Sequence, residues 1–249
     1  MIFLTARASR PRPTTLRGGR RLPVAGALAL LLAVALAGCA QAESAAGGHD
    51  KATAPSPRPS TSKPASQAQP GGCPALADRD TSPLTKAPED VQWTLFRTEA
   101  LPQSKTAGPA VTERDLTRCY AHTPTGALIA AVQISTRSML ASNWTEVWEK
   151  QTYGPDKDAT LKALRMQFGS GSLGTPDPGE LGQVAGFHFV TYNDDTAVID
   201  VLMRYPDGSL QVAPETVRWH NGDWQVEINE NAQRRTVKSA AGFVSWGGI

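Results

Sequence analysis

The sequence predicts an α+β domain in which about three helices pack on a four-stranded antiparallel meander sheet, with a secretion signal and a disordered tether ahead of it. Three observations carry that prediction. Apolar residues recur with the helical period between about Thr123 and Phe168, and they alternate with period two from Phe187 almost to the end. A Gly- and Pro-rich break, GSGSLGTPDPGELG, separates the two regimes. Helices followed by strands point to a segregated α+β architecture rather than to alternating βαβ units.

The first element of the folded part, VQWTLFRTEAL, alternates Val91, Trp93 and Leu95, as a half-buried strand or an extended lead-in does. Thr123 can cap a helix whose first position is Pro124, and the run TGALIAAVQISTRSML is apolar on so much of its surface that burial on most sides is expected. Trp144, Val147 and Trp148 give a second, amphipathic helix. A third runs from about Asp156 to Phe168, with Leu161, Leu164 and Phe168 inward and Gly169 as its stop.

Four strands follow. Phe187, Phe189 and Thr191 alternate before NDD turns the chain; Ala197, Ile199, Val201, Met203 and Tyr205 alternate before PDG turns it again. Leu210 to His220 is the third strand, with Pro214 implying a bulge or a free edge. Asn221-Gly222 is a two-residue hairpin signal, because both positions tolerate φ > 0, and Trp224, Val226 and Ile228 supply the inward face of the last strand.

The N-terminus reads differently. Arg7, Arg10, Arg12, Arg17, Arg20 and Arg21 precede an apolar run from Val24 to Ala37. This is the layout of a secretion signal, and the run is short of the roughly 20 residues that span a bilayer. It closes in LAGC, Leu36 to Cys39, which resembles a bacterial lipobox; the resemblance implies that Cys39 receives a diacylglyceryl group and becomes the first residue of the mature chain. The expected organisation is therefore a signal peptide over 1–38, a lipidated N-terminus and tether over 39–87, and the α+β domain over 88–249. The stretch ATAPSPRPSTSKPASQAQPGG has no aromatic residue and no Ile, Leu or Val to bury, so it has nothing to offset its ordering entropy.

Removing the signal changes the charge. The chain has 25 basic and 23 acidic residues; without the six arginines, 19 basic residues stand against 23 acidic, a net charge of −4. The basic balance belongs to the signal and gives no argument for nucleic-acid binding. With Cys39 acylated, Cys73 and Cys119 remain in a compartment where disulfides persist, so a bridge is expected, with two free thiols as the competing reading.

No motif for catalysis, metal or cofactor stands up. GSGSLG, from Gly169, matches G-x-G-x-x-G but lacks a strand before it and a helix after it, so it reads as a linker. His122, His188 and His220 lack the spacing of a zinc site. Asp200 lies mid-strand between Ile199 and Val201, so it points away from the core face, with Arg204 or Arg218 as an expected cross-strand partner.

CYAHTPTGALIAAVQI from Cys119, QVAGFHFVTYNDDTAVIDV from Gln183, RWHNGDWQV and the closing AGFVSWG together resemble an uncharacterised family of actinobacterial lipoproteins linked to integrative and conjugative elements. The architecture resembles the cone-shaped domains of the nuclear transport factor two-like superfamily. That resemblance implies a strongly curved sheet, and in the enzymes of the superfamily a carboxylate inside the cone. It also implies likeness to extracytoplasmic domains of conjugation and type IV secretion channels. The expected function is then a non-enzymatic interaction module held by its lipid on the outer face of the cell membrane. Its expected partners are envelope proteins, including conjugation-channel subunits, and its candidate contact residues are Trp219 and Trp224, for which burial as structural tryptophans is the competing reading. The alternative is a small-molecule binder or enzyme using the apolar mouth of the cone.

Overall fold

The computed structural model describes residues 72–169, 171, 173, 176 and 180–248. The expected signal over 1–38, Cys39 and the tether up to residue 71 lie outside the described residues. Packing begins ahead of Pro88: Cys73 and Leu76 are buried, and Leu84 and Ala87 lie against the core.

Two hairpins come first, β1 (Val91–Phe96) with β2 (Glu99–Ser104) and β3 (Val111–Glu113) with β4 (Leu116–Arg118). The expected alternation of Val91, Trp93 and Leu95 breaks at the last position. Leu95 is 76 % exposed, and Phe96 instead turns in beneath the Arg137 guanidinium, 4.0 Å from its ring centroid. The chain reverses at Arg97, which takes φ 57°, and the second hairpin reverses in the same way at Arg114, also φ 57°.

Helix α1 (Pro124–Leu140) starts as its cap residues dictate: the Thr123 hydroxyl accepts from the Gly126 N–H, and Pro124 sits where no N–H is needed. Of its 17 residues, 15 are buried. The cause is that it packs against three later strands, Thr196–Arg204, Leu210–His220 and Asp223–Glu227, and also against β2, where the Gln133 amide donates to the Pro102 carbonyl at 2.8 Å. Helix α2 (Trp144–Gln151) buries Trp144, Val147 and Trp148. A short strand, β5 (Thr152–Tyr153), leads to α3 (Lys157–Phe168), which buries only Leu161 and ends at Gly169 with φ 64°. Leu164 and Phe168, expected inward, are half-buried.

The main sheet is built from β6 (Gln183–Asn193), β7 (Thr196–Arg204), β8 (Leu210–His220), β9 (Asp223–Glu227), β10 (Arg235–Val237) and β11 (Val244–Ser245), together with β5. Its order is β11-β6-β7-β8-β9-β5, with β10 also on β8; β5 runs parallel to β9 and the other pairs are antiparallel. The turns follow their side chains. Asn193 Oδ1 accepts from the N–H groups of Asp195 and Thr196, Asp207 Oδ1 accepts from Ser209, and Asn221 and Gly222 take φ 51° and 84°.

The expected fold class is thereby corrected. The described residues hold three helices and eleven strands, in a seven-stranded mixed sheet and two two-stranded sheets, in place of three helices packed on a four-stranded meander. The added strands are two or three residues long or turn on arginine, so none has a period or a Gly/Asn turn of its own to announce it.

Two consequences of the sheet position the site. Strand β8 shares one edge between two partners: β9 pairs with Val217–His220 and β10 with Leu210–Val212. Among the described residues no strand faces 213–216 on that side, and Pro214, which has no N–H to donate, lies in the gap. The face away from α1 is also partly covered. Leu202, Leu210 and Val212 pack there with Ala185, Val237 and Phe243.

Candidate functional site

At the gap in β8 a small pocket, partly open to solvent, lies between α1 and the sheet. Each wall follows from a periodicity. Val132, Ser135, Thr136 and Met139 come from one stripe of α1, at i, i+3, i+4 and i+7. On the sheet, Met203 stands opposite Val184, Val201 opposite Ala213, and Ile199 opposite Glu215, so the lining residues occupy neighbouring positions on the face toward α1. Leu181, Gly182 and Arg234 complete the rim.

Two carboxylates line this pocket, Glu99 and Glu215, each with 6 % of its surface exposed. Glu215 accepts the Ser135 hydroxyl at 2.7 Å. Burial pushes its carboxyl above the ordinary 4.5, against the lowering effects of that hydrogen bond and of the Arg234 charge. Burial also raises Glu99, opposed by hydrogen bonds from Thr98 and Gln183. Arg234 donates from Nη1 to the Tyr205 hydroxyl at 2.9 Å, while its Nε is buried without an acceptor. The pocket thus combines an apolar, methionine-containing wall with more buried acid than base. Such a surface can hold a group that donates hydrogen bonds or carries positive charge.

Asp200, the carboxylate singled out from sequence, is elsewhere. It lies on the opposite face of the sheet, as its phase predicts, but its partner is Arg235 of β10 rather than Arg204 or Arg218: Nη2 donates to Oδ2 at 2.6 Å. Glu215 escaped sequence reasoning because a lone glutamate in a strand reads as solvent-facing. Its signal was parity, since it shares phase with Ala213, Val217 and Trp219.

The candidate contact residues separate. Trp224 is fully buried, and its Nε1 donates to the Ala121 carbonyl at 2.8 Å, so it is a core residue with no surface to offer a partner. Trp219 is half-buried and stacks on His122, with ring centroids 4.0 Å apart and planes 7° from parallel.

Cys73 and Cys119 form a disulfide with a Cα–Cα distance of 5.3 Å. Beside it, Asp223 accepts the backbone N–H groups of Cys119 and Tyr120 at 2.6 and 3.0 Å, and burial raises its carboxyl. Among the described residues, Cys73, Cys119 and Asp223 are the group of potential metal ligands that lie close enough together, but both sulfurs are bonded to each other and offer no thiolate. Among the same residues no helix is long and apolar enough to cross a membrane.

Residues 53–245 match a family model described as a domain of unknown function, DUF8175. No curated protein and no solved structure matches the chain.

Proposed function

Because the chain belongs to the DUF8175 family, which carries no assigned activity, its function has to be argued from its own residues, and we propose that it is a lipid-anchored extracytoplasmic interaction module without enzymatic activity. The observation that supports this best is the Cys73–Cys119 disulfide, which fastens the N-terminal edge of the folded part to the residues leading into α1. A buried structural disulfide belongs to an oxidising compartment, and the secretion signal with its lipobox-like LAGC sends the chain to one. With Cys39 in the lipid, the Ala-, Ser-, Pro- and Gly-rich sequence ahead of Cys73 tethers the domain near the membrane and raises its local concentration for envelope partners. Conjugation or secretion-channel subunits are the partners that the sequence resemblance implies. Detergent phase partitioning of the full chain tests the anchor: the wild type is expected in the detergent phase and Cys39→Ser in the aqueous phase or unprocessed, and identical partitioning of the two would refute it. Crosslinking in the host tests the partners, with envelope proteins as the expected products.

The pocket favours a second reading, in which the module also binds a small molecule. It holds two buried carboxylates, and a buried charge weighs against folding unless something compensates it.

A further inference from the structure

We propose that the pocket between α1 and β8 binds a small amphiphilic cation, an alkylammonium group held by Glu99 and Glu215 with its aliphatic body against Val132, Met139, Val201 and Met203. The inference rests on the second reading above and adds the ligand class to it.

Four features of the molecule lead to this chemistry. The first is charge balance: Glu99 and Glu215 face the same space as Arg234, so the ionised pocket carries one net negative charge. An ammonium neutralises that charge, whereas a carboxylate doubles the mismatch and a phosphate increases it further. The second is how the acids are held. The hydroxyl of Ser135 donates to one oxygen of Glu215, and Glu99 is hydrogen-bonded by Thr98, across 3.3 Å, and by Gln183, so neutral hydroxyl and amide groups are the hydrogen-bond partners of these two acids among the described residues. Arg234 directs Nη1 to Tyr205 instead. The third is the wall. Apart from Ser135 and Thr136, the α1 and sheet residues around the acids are apolar, and Met139 and Met203 have unbranched, polarisable side chains that adapt to an alkyl body. The fourth is access. The pocket is partly open to solvent and lies where, among the described residues, no strand pairs with β8 between β9 and β10. A ring of three carboxylates suited to a bare metal ion is absent among the described residues at this place.

The test uses the full chain purified in detergent and three probes of similar size, n-butylammonium, butan-1-ol and butanoate, titrated at constant ionic strength and followed by calorimetry and by saturation transfer to the probe protons. The expected result is binding of n-butylammonium at least about tenfold tighter than of the other two. Glu99→Gln and Glu215→Gln should each weaken it by about tenfold or more, the effect of losing one charge-assisted hydrogen bond. Each replacement keeps the side-chain shape, and Met139→Trp, which fills the rim and leaves both acids in place, should also abolish binding. Butanol or butanoate binding as tightly as n-butylammonium overturns the cation assignment but leaves a small-molecule pocket. No binding of any probe overturns the pocket reading as well. Binding of n-butylammonium that survives all three substitutions places it elsewhere on the protein and overturns the proposal. None of these outcomes bears on the lipid anchor, which the partitioning of Cys39→Ser decides separately.

Discussion

Glu215 is a buried carboxylate of the pocket between α1 and the sheet, and its titration has a sign that can be measured. Burial raises its folded value above 4.5, so the folded state holds the proton more tightly than the unfolded chain does. Its contribution to stability is therefore full at acid pH, below the ordinary carboxylate range, and is lost as pH rises through the window between 4.5 and the raised value. Glu215→Gln removes the titration and can still accept the Ser135 hydroxyl. Without ligand, the variant is expected to be about 1–3 kcal/mol more stable than the wild type at pH 8, the scale on which apolar or neutral replacements of buried charge act. The gap should close at about pH 4. Urea denaturation at the two pH values checks it, and a gap of equal size at both would show that burial of the charge is not the cause. Asp200 gives the contrast. Its partner Arg235 keeps 51 % of its side chain exposed and can rehydrate, so Asp200→Asn is expected to lower stability by about 1 kcal/mol or less.

Among the elements, α1 shows how local chemistry and tertiary packing can disagree about one residue. Gly126 sits in its first turn, where alanine would improve helix propensity by about 1 kcal/mol. A Cβ at that position would stand 2.0 Å from the Ala121 carbonyl oxygen, a backbone atom that cannot move aside cheaply. Gly126→Ala is therefore expected to destabilise the domain by about 1–3 kcal/mol, the range of overpacking, and a thermal midpoint at or above that of the wild type would contradict the packing described here. The turns divide along the same line. Those after β6, β7 and β8 were legible, because Asn193, Asp207 and Asn221-Gly222 make their own local bonds or tolerate φ > 0. Those of the two N-terminal hairpins were not, because Arg97 and Arg114 are held in the left-handed region while pairing with Asp115 and Glu146, contacts far away in sequence.

For the molecule as a whole, the disulfide joins positions 46 residues apart and so constrains the unfolded chain over both hairpins. In the chain-entropy description that contributes about 3–4 kcal/mol, and chemical denaturation with and without reductant should show a loss of that order. The two sulfurs are bonded to each other, so alkylation of either cysteine should be negligible in native and in unfolded protein until a reductant is added. The sequence by itself determined what depends on a few neighbouring residues: the cap at Thr123, the stop at Gly169, the side-chain turns of the sheet and the outward phase of Asp200. Tertiary structure alone decided that Cys73 comes within bonding distance of Cys119, that Trp224 is core while Trp219 reaches the surface, and that Glu215 joins Glu99 across a gap in β8. It also decided the existence of β5, β10 and β11, which are too short to show a period and are strands only because the edges of β9, β8 and β6 offer them unpaired N–H and C=O groups. Caps and turns are settled by hydrogen bonds that close within three or four residues, whereas these features depend on contacts between segments tens of residues apart, which no local pattern encodes.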